Sequence, residues 1–423
     1  MLAFQAQVSQ NPHLLKGADC VHAIVSVIAT CAEGAPAEQK LAEAFLIDCS
    51  GSMEGDKIRQ AKAALEATID LLNEDAVFFI VAGSEVARVI FPLSPATADQ
   101  KRAAKQAIRQ LTAGGGTAMS TWLEKALLEF RETPGTIHHA LLLTDGKNES
   151  EPDTKLVETV RKCEGQFQCD ARGVGTDWKP DQIRLITNQL LGAVDIIPRP
   201  EEISADFRRV VGNMQSKALA DVVLRVWTPV DARVDYCKQV FPARLDLTSQ
   251  AKTDPQIPQS RDYRTGAWGE EKRDYHLCMR VMPGNVGDKV LAGRVSVMVF
   301  AGGKERKVAE AQITAIWTED EAKSAILNPS VDHYLKQEEL ADSIQKGLKA
   351  RERGDNDLAT RLLGRAVQLA AGTNPETLKL LRKVVEIVDE KKGIVKLLKT
   401  VQKEDEFALD TRSIKTSRAR KDD

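Results

Sequence analysis

The chain has 423 residues, 43% of them hydrophobic and 28% charged, which sets general disorder aside and allows on the order of two to four domains with ordinary cores. With 59 basic and 61 acidic side chains the formal charge is -2, so there is no electrostatic case for nucleic acid or an anionic membrane. No apolar run approaches the roughly 18 residues of a spanning helix, and Met1-Leu2-Ala3-Phe4-Gln5 lacks the basic start and apolar core of a secretory signal. The seven cysteines, at 20, 31, 49, 163, 169, 237 and 278, are odd in number and form no CxxC pair. That usage argues against a disulfide framework or a zinc ribbon and for the cytosol, with Cys163 and Cys169 expected as two buried thiols.

In chain order, Phe4, Ala6 and Val8 share one side of a first strand, and Val21, Ala23, Val25 and Val27 one side of a second. Asn11-Pro12 and Lys16-Gly17 supply turns, and Glu33-Gly34-Ala35-Pro36 reads as a linker. From about residue 40 to 217, short all-apolar runs alternate with helical spacing. The runs at 44–48, 77–81, 140–143 and 194–197 have the character of strands buried on both faces. Ile58, Ala61, Leu65, Ile69 and Leu72 recur at helix spacing, as do Leu123, Leu127 and Phe130. Further helices are expected over 153–163, 179–191 and 200–217. This alternation predicts a doubly wound, mostly parallel sheet covered on both sides.

Residues 218–318 return to strand alternation, as in Val223-Leu224-Arg225-Val226-Trp227, with a polar loop over 248–262, and predict an antiparallel β-sandwich. The two N-terminal strands have no helical layer of their own and are expected to join it, which makes the α/β domain an insertion. Beyond residue 330 two amphipathic segments flank Arg353-Gly354-Asp355-Asn356-Asp357 and resemble one tetratricopeptide-like hairpin, with a third helix through Leu378, Leu381, Val384-Val385 and Val388. The expected division is 1–38 for the strands joining the sandwich and 39–217 for the α/β domain. The sandwich itself takes 218–320, a C-terminal helical region 330–402, and a polar, solvated tail 403–423. That tail carries Thr411, Ser413, Thr416 and Ser417 among basic residues, a pattern that a phosphopeptide-reading module would recognise if phosphorylated.

The residues that carry chemistry stand at strand ends. Asp48-Cys49-Ser50-Gly51-Ser52 follows one apolar run, and Thr144-Asp145-Gly146 follows another. Between them Gly114-Gly115-Gly116 precedes Thr117. In a parallel sheet both carboxylates arrive at the carboxyl edge where the strand order reverses, which is where such folds bind ligands. Two acids and three hydroxyls suit a small hard cation, Mg2+ or Mn2+, which prefers about six oxygens and retains part of its water. Neutral hydroxyls neutralise little of its charge, so a vacant position would favour an Asp or Glu side chain from a partner protein.

Asp48-x-Ser50-x-Ser52, Thr117 after its Gly-rich loop and Thr144-Asp145-Gly146 resemble the three parts of the metal-ion-dependent adhesion site of von Willebrand factor A domains, over roughly residues 40–215. The resemblance implies that Ser50 and Ser52 bind the metal directly, that Thr117 does so when the site is engaged, and that Asp48 and Asp145 act through water. The flanking strands and β domain are similar to bacterial intracellular A-domain proteins. By analogy the partners implied are a Ser/Thr kinase, a forkhead-associated module or an AAA+ ATPase, with the chain as a non-enzymatic adaptor or scaffold.

Other readings are weighed against this one. A structural subunit working through sandwich and helices without metal is the alternative, and a phosphoester hydrolase a further one. Against hydrolysis, an aspartyl-phosphate enzyme needs a second acid two residues after its nucleophile, where this chain has Ser50. His138-His139 belongs at the opposite end of its strand from Asp145 and is expected at the surface or strand entry. Trp178 is expected to cap the sheet edge, with partner contact as a second role.

Overall fold

The computed structural model describes residues 2–31, 39–301 and 304–418. The linker at 33–36 and the tail's end, with Arg420 and Lys421, lie outside the described residues. The chain divides into two compact units, one of Glu33–Asp221 with Gly266–Gly269, the other of Leu2–Ala32, Val222–Thr265 and Glu270–Asp423. The first unit is therefore an insertion in the chain of the second.

In the first unit six strands form one sheet, in the order Arg88–Pro95, Val77–Gly83, Leu41–Asp48, Ile137–Thr144, Gln168–Val174, Val194–Ile197. All neighbours are parallel except the edge pair of Val77–Gly83 with Arg88–Pro95. The central strand, Leu41–Asp48, is buried at all eight positions, as its unbroken apolar run requires of a strand covered on both faces. Phe45 and Ile47 pack into a core with Leu65 of the helix Asp56–Asp70 and Phe207 and Val210 of Ile203–Gln215. On the other face the Phe79 ring meets Phe130 of Met119–Phe130 edge-on at 5.0 Å. The chain leaves Leu41–Asp48 toward one side of the sheet and later returns to its other side at Ile137–Thr144. The strand order thus reverses between Asp48 and Asp145. The edge strand Arg88–Pro95 and the helix Ala98–Arg109 are additions to the expected elements. The strand has a half-exposed pattern with Pro92 and Pro95, and such an edge strand has no clean alternation to read.

In the second unit the two N-terminal strands do join the sandwich. Leu2–Gln10 pairs with Cys20–Cys31, which pairs with Glu271–Arg280, all antiparallel, in a five-stranded sheet. The facing six-stranded sheet has Val222–Trp227, Lys289–Ala301 and Lys304–Thr318 at its centre, and Lys304–Thr318 pairs in parallel with the short Leu14–Leu15. Part of the loop expected over 248–262 is strand, at Lys252–Thr253 and Ser260–Arg264.

Three expectations for the C-terminal region need correction. The helices Pro329–Glu352 and Asn356–Ala370 form the expected hairpin, but the third helix stops at Leu381. The chain then forms an antiparallel hairpin of Val385–Asp389 and Ile394–Leu397, because Val385 and Val395 face the helical core and Glu390-Lys391-Lys392-Gly393 makes the turn between the strands. Residues 330–402 are thus helices plus a hairpin. Nor is 403–423 simply a solvated tail: Lys403–Arg412 is a helix whose Leu409 is fully buried in the same core as Leu340 and Leu363. Of the tail's hydroxyl residues Thr411 and Ser413 are buried, which removes those two as accessible phosphorylation sites. Among the described residues no helix is long and apolar enough to cross a membrane.

Candidate metal centre

Asp48 is the last residue of the central strand and is fully buried. One carboxylate oxygen accepts the Ser50 amide at 2.8 Å and the other accepts the Thr144 hydroxyl at 2.5 Å. Burial pushes its pKa above the ordinary value, the bonds from Ser50 and Thr144 oppose that, and the neighbouring Asp145 adds to it. The Asp48 carboxylate is therefore a group that gains from a nearby positive charge. The turn after it holds Ser50 Oγ 3.1 Å from Ser52 Oγ, and Ser52 Oγ donates to Asp145 Oδ1 at 2.6 Å. Thr117 enters from the Gly-rich loop. That loop is pinned to the first turn by Gly51 N–H to the Gly115 carbonyl at 2.9 Å and Gly114 N–H to the Cys49 carbonyl at 2.8 Å.

The convergence is clearest at Gly146. A Cβ placed there would lie 3.1 Å from Thr117 Oγ1, 3.4 Å from Ser52 Oγ and 3.7 Å from Asp48 Oδ2. Oxygens from the first two loops ring one small space beside the third, a space that a methyl group on Gly146 would enter and that the missing side chain keeps open. The donor set is oxygen throughout, which fits a hard cation such as Mg2+ or Mn2+ better than a soft one. Above it lies an open depression of about 330 Å³, lined by Ser50, Ser52, Thr117, Lys147, Glu149 and Asp177 among others, wide enough for a side chain from outside. The structure thus brings Asp48, Ser50, Ser52, Thr117 and Asp145 together at one point of the sheet edge.

Several residues that support this geometry were not singled out from the sequence. Lys57, in the first turn of the helix Asp56–Asp70, places its ammonium 2.5 Å from Asp145 Oδ2 and 3.7 Å from Asp177. It places one of the chain's own cations at the site, where a metal ion, if bound, would compete with it for Asp145. Asn148 Oδ1 accepts the Met119 amide at 2.7 Å and Glu151 accepts the Ser120 amide at 2.9 Å, so the segment after Asp145 caps the helix that follows Thr117. Glu85 accepts the Gly116 amide at 3.1 Å, and any Cβ on Gly116 would strike Ser150 Oγ and Glu85. The sequence signal for Asn148, Ser150 and Glu151 was the cluster of polar residues over 147–151.

The other singled-out residues lie elsewhere. His138 sits at the strand entry, stacked on Phe130 with ring centroids 4.8 Å apart. His139 is not a surface residue: it is buried, its Nδ1 2.8 Å from Glu43 and its Nε2 3.5 Å from Asp170. Burial pushes Cys49 up to about 12, which leaves it a protonated, packed thiol. Trp178 is buried against Gly173 and donates to the Gly175 carbonyl at 3.0 Å, so it offers nothing to a partner. Cys163 and Cys169 are buried free thiols, as expected.

Comparison with known proteins adds to this geometry. Residues 43–196 match the von Willebrand factor type A domain, and residues 368–413 match the von Willebrand factor type A C-terminal domain. The second match takes in both the 385–397 hairpin and the helix Lys403–Arg412. The ArnB paralog VWA2 from Sulfolobus acidocaldarius is 15% identical with a TM-score of 0.60 over 98% of this chain and 99% of its own, and shares the fold. An uncharacterised protein of Synechocystis is 28% identical over 212 residues, 49% of this chain, and the chain spans 50% of that curated relative's length. A von Willebrand factor type A protein from Catenulispora acidiphila is 42% identical, with a TM-score of 0.93 over 99% of this chain and 97% of its own. The chain belongs to the von Willebrand factor type A family.

Proposed function

We propose that this chain is a non-enzymatic binding protein that grips an acidic side chain of a partner through a divalent cation, Mg2+ or Mn2+, held at the oxygen site. The A domain is a protein-interaction module, and the observation that carries the proposal is the ring of Thr117, Ser52 and Asp48 oxygens around Gly146. Ser50, Ser52 and Thr117 are the direct ligands in this reading, and Asp48 and Asp145 act through water. When bound, the cation supplies an under-neutralised positive charge that attracts a carboxylate. The chain's own residues do the rest. Asp48 and Thr144 fix the first turn, Asn148 and Glu151 hold the Thr117 helix in place, and Lys57 leaves Asp145 as the cation arrives. Against catalysis, Cys49 is protonated and His139 lies buried in the body of the sheet, so neither serves as nucleophile or base at this edge.

The chain then serves as an adaptor or scaffold in a bacterial cytosolic complex, with a Ser/Thr kinase, a forkhead-associated module or an AAA+ ATPase as the partner classes. The cytosolic assignment is supported by seven cysteines without a CxxC pair. A pull-down on the full chain in Mg2+, repeated in EDTA and with Asp48→Ala, tests this. Recovery of partners should fall at least about tenfold in both arms and return when Mg2+ is restored to the wild type. Equal recovery in all arms would sink the proposal and favour a structural subunit that works without metal.

A further inference from the structure

A second constellation lies in the other unit, on one face of the five-stranded sheet. The strands Cys20–Cys31 and Glu271–Arg280 pair so that Cys278 faces His22 and Arg280 faces Cys20. Residues two apart on a strand share a face, so Cys20, His22, His276 and Cys278 stand together. Tyr236, opposite Cys278 on the next strand, joins them. Cys20 Sγ is 2.8 Å from Cys278 Sγ and 3.5 Å from His22 Nε2, and the three donor atoms all lie within 4.8 Å of one another. The other ring nitrogen of His22 is 3.1 Å from His276 Nε2 and 3.2 Å from the Tyr236 hydroxyl.

We propose that Cys20, His22 and Cys278 form a zinc site of two thiolates and one imidazole, with a fourth position for water and with His276 positioning the His22 ring. Several features favour a metal over a direct bond between the sulfurs. Cys20 and Cys278 are diagonal, not opposite, in the ladder. Diagonal partners are about 7–8 Å apart, beyond the usual reach of a disulfide, whose Cα atoms lie within about 4.4–6.8 Å. Ligands at about 2.3 Å for sulfur and 2.0 Å for nitrogen around a tetrahedral ion stand roughly 3.5–3.7 Å from each other. The Cys20–His22 separation already matches that, and the sulfurs need to part by about 1 Å.

His22 is also arranged as a ligand histidine would be. A ring bound through one nitrogen donates its other N–H to a fixed acceptor, and the buried His276 provides one. Nearby acids do not compete for the ion: Asp19 and Asp235 both pair with Arg280, at 2.6 and 2.8 Å. Cys278 and His276 are buried while Cys20 and His22 are half-buried, which leaves an entry path. Thiolate and imidazole select zinc where the all-oxygen site selects a hard cation, so the two sites sort metals by softness.

The test uses the full reduced chain in excess Mg2+, titrated with Co2+ as a spectroscopic stand-in and then with Zn2+. One equivalent of Co2+ should give a thiolate-to-metal charge-transfer band, which zinc then displaces. Cys278→Ser should weaken zinc binding at least about a hundredfold, and His276→Ala about 10–100-fold. Ser50→Ala, at the oxygen site, should leave the band unchanged. Absence of the band in the folded wild type, unaltered zinc affinity in Cys278→Ser, or a Cys20–Cys278 crosslink in the protein isolated without reductant would each overturn the proposal.

Discussion

Asp48→Ala should lose divalent-cation binding by at least about a hundredfold, measured by calorimetric titration of Mg2+ or Mn2+ into the full chain. Outer-shell groups account for roughly 10–100-fold in other metal sites. Asp48, acting through water, also fixes the turn that presents both serines through its bonds to the Ser50 amide and the Thr144 hydroxyl, which places it at the upper end or beyond. The variant should nonetheless fold. A carboxylate whose pKa is raised by burial is a charge the folded state holds at a cost. Its removal relieves that cost and the repulsion from Asp145, at the expense of two hydrogen bonds. A folded variant that binds Mg2+ as the wild type does would show that the cation sits elsewhere.

The largest effect on stability is expected from His139→Ala. His139 lies between Glu43 and Asp170 in the body of the sheet, and both it and Glu43 are buried. Burial by itself would push His139 down, but the Glu43 charge and the contacts with Asp170 outweigh it and hold the ring at about 10. Asp170 shows the complement: burial would raise it, yet His139 and Arg172 draw it down to about 2. Removing the imidazole leaves the buried Glu43 carboxylate without its partner, a change that costs about 3–5 kcal/mol and is read by urea unfolding at neutral pH. Because the folded pKa is above the ordinary 6.5, the stabilisation is fully present below about pH 6.5 and fades as pH rises through about 10. The gap between wild type and variant should therefore narrow progressively from about pH 6.5 to about pH 10. A gap of under about 1 kcal/mol at pH 7, or one that widens with alkali, would mean the ring is neutral in the fold.

How much of this could be read from the sequence depends on whether the signal was local. Asp48 and Asp145 were legible because each ends an apolar run, and a buried strand's end is fixed where the run stops. The turn chemistry between strand and helix kept Ser50 and Ser52 close behind. Where contacts depend on pairing between distant strands, the sequence is silent. Cys20-Val21-His22 and His276-Leu277-Cys278 meet only through the register of two strands some 250 residues apart, and neither has the CxxC spacing that signals a metal. His139 was misjudged because an apolar run does not disclose that Glu43, on the neighbouring strand, faces it. Lys57 looked like one more surface lysine of an amphipathic helix. Lys403–Arg412 was read as tail because seven of its ten residues are charged or hydroxyl-bearing, though one turn of Ala408 and Leu409 suffices to dock it. The hairpin of 385–397 carried the same kind of ambiguity, a short apolar run that suits helix or strand equally.

Partner binding at the sheet edge requires a divalent ion held there with a place left for a visiting carboxylate. Water-proton relaxation of the Mn2+-loaded full chain, followed while a short glutamate-containing peptide is added, measures both at once. One Mn2+ per chain, lost in Asp48→Ala, with bound water displaced as the peptide arrives, is the predicted result. A relaxation rate indifferent to the peptide, or Mn2+ retained without Asp48, would contradict it.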